Sequence, residues 1–316
     1  FTFSGVNDFN IKQVEDAGMK AYPSIFIGKG WMNGKGEGDE SKSYPPSDLT
    51  VNPDPLFAYS ASYYNFLVQF FTAYAGHFDY AAIENEENSI LFWGGTADEY
   101  IRIVKTAYKA IKDVDPNVQV SNGGFVSSSF GLCIADDYID NGVTPPEEAY
   151  DLAIAYSRAA NESGETAITT VEQVPFALGN QAIQDNCDTI TAIIAGIKDS
   201  VDLLNFHFYE DPDVLIMPID WLKRRMGLAG YAVPLISNEM GQRGTISYAT
   251  SFDHAADVFR KLVTATALDM RLVVWFATET VGTIAPSPDK VNLFNPDGAR
   301  RPAADLFQNV VETLQN

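Results

Sequence analysis

The chain has 316 residues, 46% of them hydrophobic and 12% aromatic, enough for a sizeable core, and α/β barrels commonly run past about 250 residues as one domain. Its 42 acidic and 21 basic side chains leave a net charge of −21, which argues against nucleic acid or an anionic membrane as partner, since both need a basic face. No apolar run reaches the roughly 18 residues of a membrane span.

Strands and helices alternate along the chain. A helix over about Asn7–Ala17 stops at Gly18, and an apolar strand, Lys20–Ile27, ends at Gly28-Lys29-Gly30-Trp31. Residues 32–55 are polar and rich in Gly and Pro, a long loop. An aromatic helix follows over about Leu56–Ala75, then a strand, Tyr80–Ile83, that runs into Glu84-Asn85-Glu86-Glu87-Asn88. Thr96 with Glu99 three residues later is a capping box opening a helix to about Asp113. Val118–Val120 is the next strand, closing at Gly123-Gly124. Residues 125–186 are too long for an ordinary loop and hold one candidate helix, Pro146–Ala160. The alternation then resumes: helix 188–199, strand Leu203–Tyr209, helix 214–227, strand Leu235–Ser237, helix 252–268, strand Leu272–Phe276, loop 278–299 and a last helix over 302–314.

This order predicts a parallel sheet. No G-x-G-x-x-G or P-loop follows a strand, so the nucleotide-binding version lacks its phosphate cradle. Polar and aromatic residues gather instead at the C-terminal ends of strands, which in a barrel share one rim: Trp31, Glu86, Asn122, His207, Tyr209, Glu239 and Trp275. The expectation is a single (β/α) TIM-type barrel domain over residues 1–316, incomplete, with six of the eight strands identifiable and 125–186 inserted on the catalytic face. Apolar strands near Lys20 and Leu272 would each keep an open edge, so a homo-oligomer is expected to cover them.

Two short runs end a strand in Asn-Glu: Asn85-Glu86, and Asn238-Glu239 after Leu235-Ile236-Ser237. Two carboxylates on different strand ends are what glycoside hydrolysis needs, one to protonate the leaving oxygen and one to attack the sugar carbon. Glu86 is the candidate acid/base. Its neighbours Glu84 and Glu87 would raise its pKa, Glu84 from the same side if the strand continues. Glu239 is the candidate nucleophile, with Tyr209 placed to donate to it; a retaining pair would lie about 5–5.5 Å apart. The competing reading of each is a surface or capping carboxylate in an acidic protein. Asn85 would bind a sugar hydroxyl, His207 would line the rim, and Trp275 would offer its ring face to the sugar. Trp31 and Trp93 would be outer sugar platforms or packing residues. Three His without His-x-x-x-His or Cys-x-x-Cys spacing point away from a metal, and no cofactor is expected. Cys133 and Cys187 either pair or stand as two thiols.

These strand ends resemble the retaining barrel glycosidases of clan A, the family 39-like branch most closely. That branch has Trp-Asn-Glu-Pro-Asn, then Phe-Trp, a helical Tyr and Lys-x-x-Asp-Pro. Here the run is Glu84-Asn85-Glu86-Glu87-Asn88, Phe92-Trp93, Tyr100, and Lys112 to Asp115-Pro116, with Glu84 for Trp and Glu87 for Pro. His207-Phe208-Tyr209, Glu239 and Trp275 match the sixth, seventh and eighth strands. In that register Phe1-Thr2-Phe3-Ser4 falls just after the family's second strand, so the first two strands would be missing, and with them the arginine the clan places near the nucleophile. The resemblance implies a retaining β-glycoside hydrolase of an oligo- or polysaccharide, secreted or extracellular. The alternative is a catalytically impaired sugar-binding or scaffold protein derived from such a barrel.

Overall fold

The computed structural model describes residues 6–28, 42–160, 167–241, 251–276, 292–295 and 298–315. In chain order they form α1 (Val6–Asp16), β1 (Ser24–Ile25), α2 (Ala61–Ala73), β2 (Tyr80–Ile83), α3 (Ala97–Val114) and β3 (Gln119–Asn122). There follow α4 (Phe130–Asp140), α5 (Pro146–Ala159), α6 (Gln173–Leu178), α7 (Gln181–Gly196), β4 (Leu204–Asn205) and α8 (Ile216–Leu228). The chain closes with β5 (Leu235–Gly241), α9 (Ser251–Ala267), β6 (Leu272–Phe276) and α10 (Pro302–Gln315). It divides into two compact units, one of Phe1–Val126, Asp188–Asn205 and Arg225–Pro234, the other of Ser127–Cys187, Phe206–Arg224 and Leu235–Asn316.

In the first unit β2 pairs in parallel with β1 (Ser24 with Ala82, Ile25 with Ile83) and with β3 (Tyr80 with Gln119 through Ile83 with Asn122). Ala81, Ala82, Ile83, Val120, Ser121 and Asn122 are all fully buried, as befits a parallel sheet covered on both faces. Helix α3 covers it. Thr96 accepts from the Glu99 amide at 3.2 Å while the Glu99 carboxylate accepts from the Thr96 amide at 2.7 Å, the expected capping box. Tyr100, Ile103, Val104, Ala107, Ala110 and Ile111 form its buried stripe, at helical spacing.

In the second unit β5 pairs in parallel with β6, and the segment before Tyr209 runs along β5 through Phe206–Ile236 and Phe208–Glu239 backbone bonds of 3.2 and 3.1 Å. The 125–186 stretch contributes α4 and α6 as well as the expected α5. Ala135, Ala149, Ala153, Ile154, Ile168 and Val174 make their common core. A Cβ on Gly131 would stand 2.6 Å from that of Tyr156, so α4 and α5 meet closely only because that residue has none. Cys133 and Cys187 form a disulfide.

Six strands lie where six were expected, but the barrel expectation needs correcting. Among the described residues they form two three-stranded parallel sheets and no closed barrel. Closure requires each strand to pair on both sides, and β1 and β6 each pair on one side only. Two strands are also far shorter than expected. β1 keeps two residues of Lys20–Ile27, with Pro23 interrupting the donors before it. β4 keeps two of Leu203–Tyr209, the rest making only isolated bridges from Leu203 to Ser121 and from Phe208 to Met240.

The disulfide closes a sequence separation of 54 residues, worth about 4 kcal/mol on the loop-entropy account. Reduction, or a Cys133→Ser/Cys187→Ser double variant, is expected to lower the thermal midpoint by roughly 10 °C in scanning calorimetry. An unchanged midpoint would show that the bridge contributes nothing to the native state.

Candidate active site

The β2 ladder stops at Ile83, and the backbone turns at once. Glu84 has φ 69° and Glu86 φ 44°, the left-handed region that costs a residue with a Cβ about 1–2 kcal/mol. The expectation that Glu84 continues the strand is therefore corrected: its side chain turns inward and is buried, as is that of Glu87, leaving Asn85 and Glu86 half-buried between them. The neighbours that secure this turn are specific. Glu84 Oε1 accepts from the Ile27 amide at 2.7 Å and from the Ser43 side chain. Glu87 Oε1 accepts from Asn122 Nδ2 at 2.7 Å. The Tyr100 hydroxyl donates to the Ile83 carbonyl at 2.8 Å and accepts from the Gly123 amide at 2.9 Å. A Cβ on Gly123 would come within 2.5 Å of the Glu84 carbonyl carbon.

Burial pushes the Glu84 carboxyl up from 4.5 to about 7; the Ser43 and Ile27 hydrogen bonds oppose this and the nearby Glu87 charge adds to it. The Tyr63 and Tyr100 phenols are raised by burial, and further by these carboxylates.

In the second unit Glu239 stands in a backbone irregularity of another kind. Ser237 pairs with Val273 and Met240 with Trp275, so β5 advances three residues where β6 advances two. This is a β-bulge, a device that re-aims side chains, and Asn238 and Glu239 are the residues inside it. The Tyr209 hydroxyl donates to Glu239 Oε1. His207 Nδ1 lies 3.6 Å from Glu239 Oε2, and its Nε2 lies 3.1 Å from Asn238 Oδ1. The Glu239 side chain keeps 21% of its surface exposed, while His207 has none. A carboxylate held by two partners with part of its surface open can be presented to an electrophile.

Two residues behind this cluster carried no motif in the sequence. Lys261 of α9 is 1% exposed; its Nζ donates to the Tyr209 carbonyl at 3.2 Å and to the Gly241 carbonyl, tying together the two strand ends that bear Tyr209 and Glu239. It also lies 3.9 Å from Asp257 and 5.7 Å from the centre of the Phe208 ring. Glu210, 1% exposed, accepts from Ser127 Oγ at 2.8 Å and from the Tyr209 amide at 3.0 Å.

The expected site residues thus fall into two groups, Asn85 with Glu86 in the first unit and His207, Tyr209, Glu239 and Trp275 in the second. Trp275 is 5% exposed, and its indole N–H has no hydrogen-bond partner among the described residues. Trp31 lies outside the described residues. Trp93 is a packing residue: buried, edge-on to Tyr100 at 5.8 Å, with its N–H on the Thr96 carbonyl at 3.1 Å.

No family model and no curated protein matches the chain. Solved structures do. A glucosidase from Croceicoccus marinus superposes with a TM-score of 0.62 at 16% identity, over 98% of this chain and 53% of that one. A family 39 glycoside hydrolase from the gut symbiont Bacteroides cellulosilyticus WH2 gives 0.59 at 14% identity, over 100% of this chain and 55% of that one. The chain shares its fold with about half of each of these two structures. An Ignisphaera aggregans GH53 catalytic domain shares it too, with a TM-score of 0.53 at 16% identity, over 96% of this chain and 77% of that one. The chain spans about half the length of the first two.

Because Glu84 holds a proton in the folded chain that it releases in the unfolded one, its contribution to stability is complete below pH 4.5 and fades as pH rises through about 7. The loss is about 3 kcal/mol. Urea midpoints at pH 4.5 and pH 8 should differ less in Glu84→Gln than in the wild type; equal differences would show that Glu84 does not titrate in this range.

Proposed function

We propose that this chain carries the catalytic glutamates of a retaining β-glycoside hydrolase acting on an oligo- or polysaccharide by double displacement. The observation that carries this reading is Glu239 in the β5 bulge with the Tyr209 hydroxyl on its carboxylate, in a chain that shares its fold with about half of each of two glycosidase structures. Glu239 attacks the anomeric carbon while Glu86 protonates the leaving oxygen. Glu86 then takes a proton from water, and that water releases the glycosyl-enzyme. The reading requires the two carboxyls about 5–5.5 Å apart across the sugar. Asn85, beside Glu86, hydrogen-bonds a sugar hydroxyl, while His207 and Tyr209 orient Glu239. Trp275 borders the sugar with its ring face, and Trp31 adds an outer contact. No cofactor takes part. The similar structures include a glucosidase and a family 39 glycoside hydrolase, which supports a carbohydrate substrate here.

Aryl β-glycosides test the assignment. Glu239→Ala should lose at least about 10⁴-fold in turnover on every substrate. Glu86→Ala should lose about 10²–10⁴-fold on poor leaving groups and far less on good ones. Sugar binding without turnover by the wild type would favour instead an impaired, sugar-binding relative of such enzymes.

We further propose that the chain works as an extracellular homo-oligomer. A disulfide persists in oxidising compartments. Among the described residues β6 pairs with β5 on one side, and its Val274 and Phe276 are 39% and 47% exposed, an edge that invites pairing. Light scattering should give at least twice the 34.7 kDa chain mass, and a stable monomer would overturn the oligomer.

A further inference from the structure

We propose that Glu84 is a positioning residue for Glu86, a buried carboxyl that fixes the left-handed turn from which Asn85 and Glu86 project. The inference rests on reading Glu86 as the acid/base. Residues with a Cβ avoid positive φ unless their surroundings impose it, and here two of three consecutive residues, Glu84 and Glu86, adopt it. The Glu84 carboxyl joins this turn to two other parts of the first unit. It accepts from the Ile27 amide just after β1, at 2.7 Å, and from Ser43, whose Oγ in turn accepts from the Gly28 amide at 2.9 Å. Downstream of the turn, Glu87 is tied to Asn122 on β3, and Gly123 lets the β3 end approach the Glu84 backbone. Glu84 and Glu87 are 1% and 2% exposed, so two inward carboxyls bracket the half-buried Asn85-Glu86 pair. An apolar residue at 84 would leave the Ile27 amide without its side-chain acceptor, and the backbone bond of 3.0 Å from the Glu84 amide to the Ile25 carbonyl would be the remaining tie of residue 84 to β1. A glutamine would keep the acceptor.

The test compares Glu84→Gln, Glu84→Leu and Glu86→Ala on aryl β-glycosides with good and poor leaving groups, with melting temperatures measured alongside. Misplacing a proton donor by about 1 Å costs up to about 10²-fold. Glu84→Leu should therefore lose about 10–10²-fold on poor leaving groups and about threefold or less on good ones, as a milder copy of Glu86→Ala, while Glu84→Gln keeps the wild-type ratio. Equal losses on both substrate types in Glu84→Leu, or no loss, would overturn the proposal. Should Glu84→Leu fail to fold, Ser43→Ala removes the second tie and must shift the ratio in the same direction. If Glu86→Ala itself costs both substrate types alike, the acid/base reading is what fails. The brace is then read from amide hydrogen exchange at Ile27, which must speed up in Glu84→Leu and not in Glu84→Gln; unchanged exchange there overturns it.

Discussion

Strands covered on both faces have only their ends to offer chemistry, and at those ends the ladder stops while backbone donors and acceptors continue. Each freed group needs a partner, and in this chain the partners are side chains. Tyr100 caps the Ile83 carbonyl and the Gly123 amide. Asn122 bonds Glu87 and the Asn205 carbonyl through Nδ2, and accepts from the Asn205 amide through Oδ1. Lys261 takes the Tyr209 and Gly241 carbonyls. The polar residues nearest the proposed chemistry are therefore structural first. They satisfy the strand ends, and in doing so they fix where Glu86 and Glu239 stand.

The two glutamates are presented by different backbone devices, a left-handed turn for Glu86 and a β-bulge for Glu239. Regular strand geometry would point successive side chains to alternate faces. Both devices break that alternation at the residue that matters, and each is stabilised from the protein interior: by buried carboxyls on either side of Asn85-Glu86, and by the buried Lys261 on the Gly241 carbonyl two residues after Glu239.

Much of this was legible in the sequence because it depends on local chemistry. The Thr96–Glu99 box, the apolar Tyr80–Ile83 run and the two Asn-Glu pairs mark helix start, strand and strand end without help from distant residues. Helix α4 was missed, although Phe130, Cys133 and Ile134 have helical spacing, because Ser127-Ser128-Ser129 and Gly131 look like a loop and its apolar face exists only for α5 and the disulfide. The partial fate of β1 and β4 was also out of reach, since pairing is a property of the neighbouring strand. Lys261 lies on an ordinary amphipathic helix, and nothing along the chain tells a lysine that will be buried from one that will be solvated. Glu84 was visible but assigned the wrong direction: a positive φ after a β-prone run has no signal when the residue is neither Gly nor Asn.

The close approach of Gly123 to Glu84 carries a consequence for inheritance. A side chain at 123 and a left-handed backbone at 84 exclude one another, so neither position can drift alone. While the turn at 84 and 85 stands as it does, position 123 is held to glycine. The two positions follow different strands, yet the close approach couples what each can carry, though in the sequence they stand as two unrelated letters.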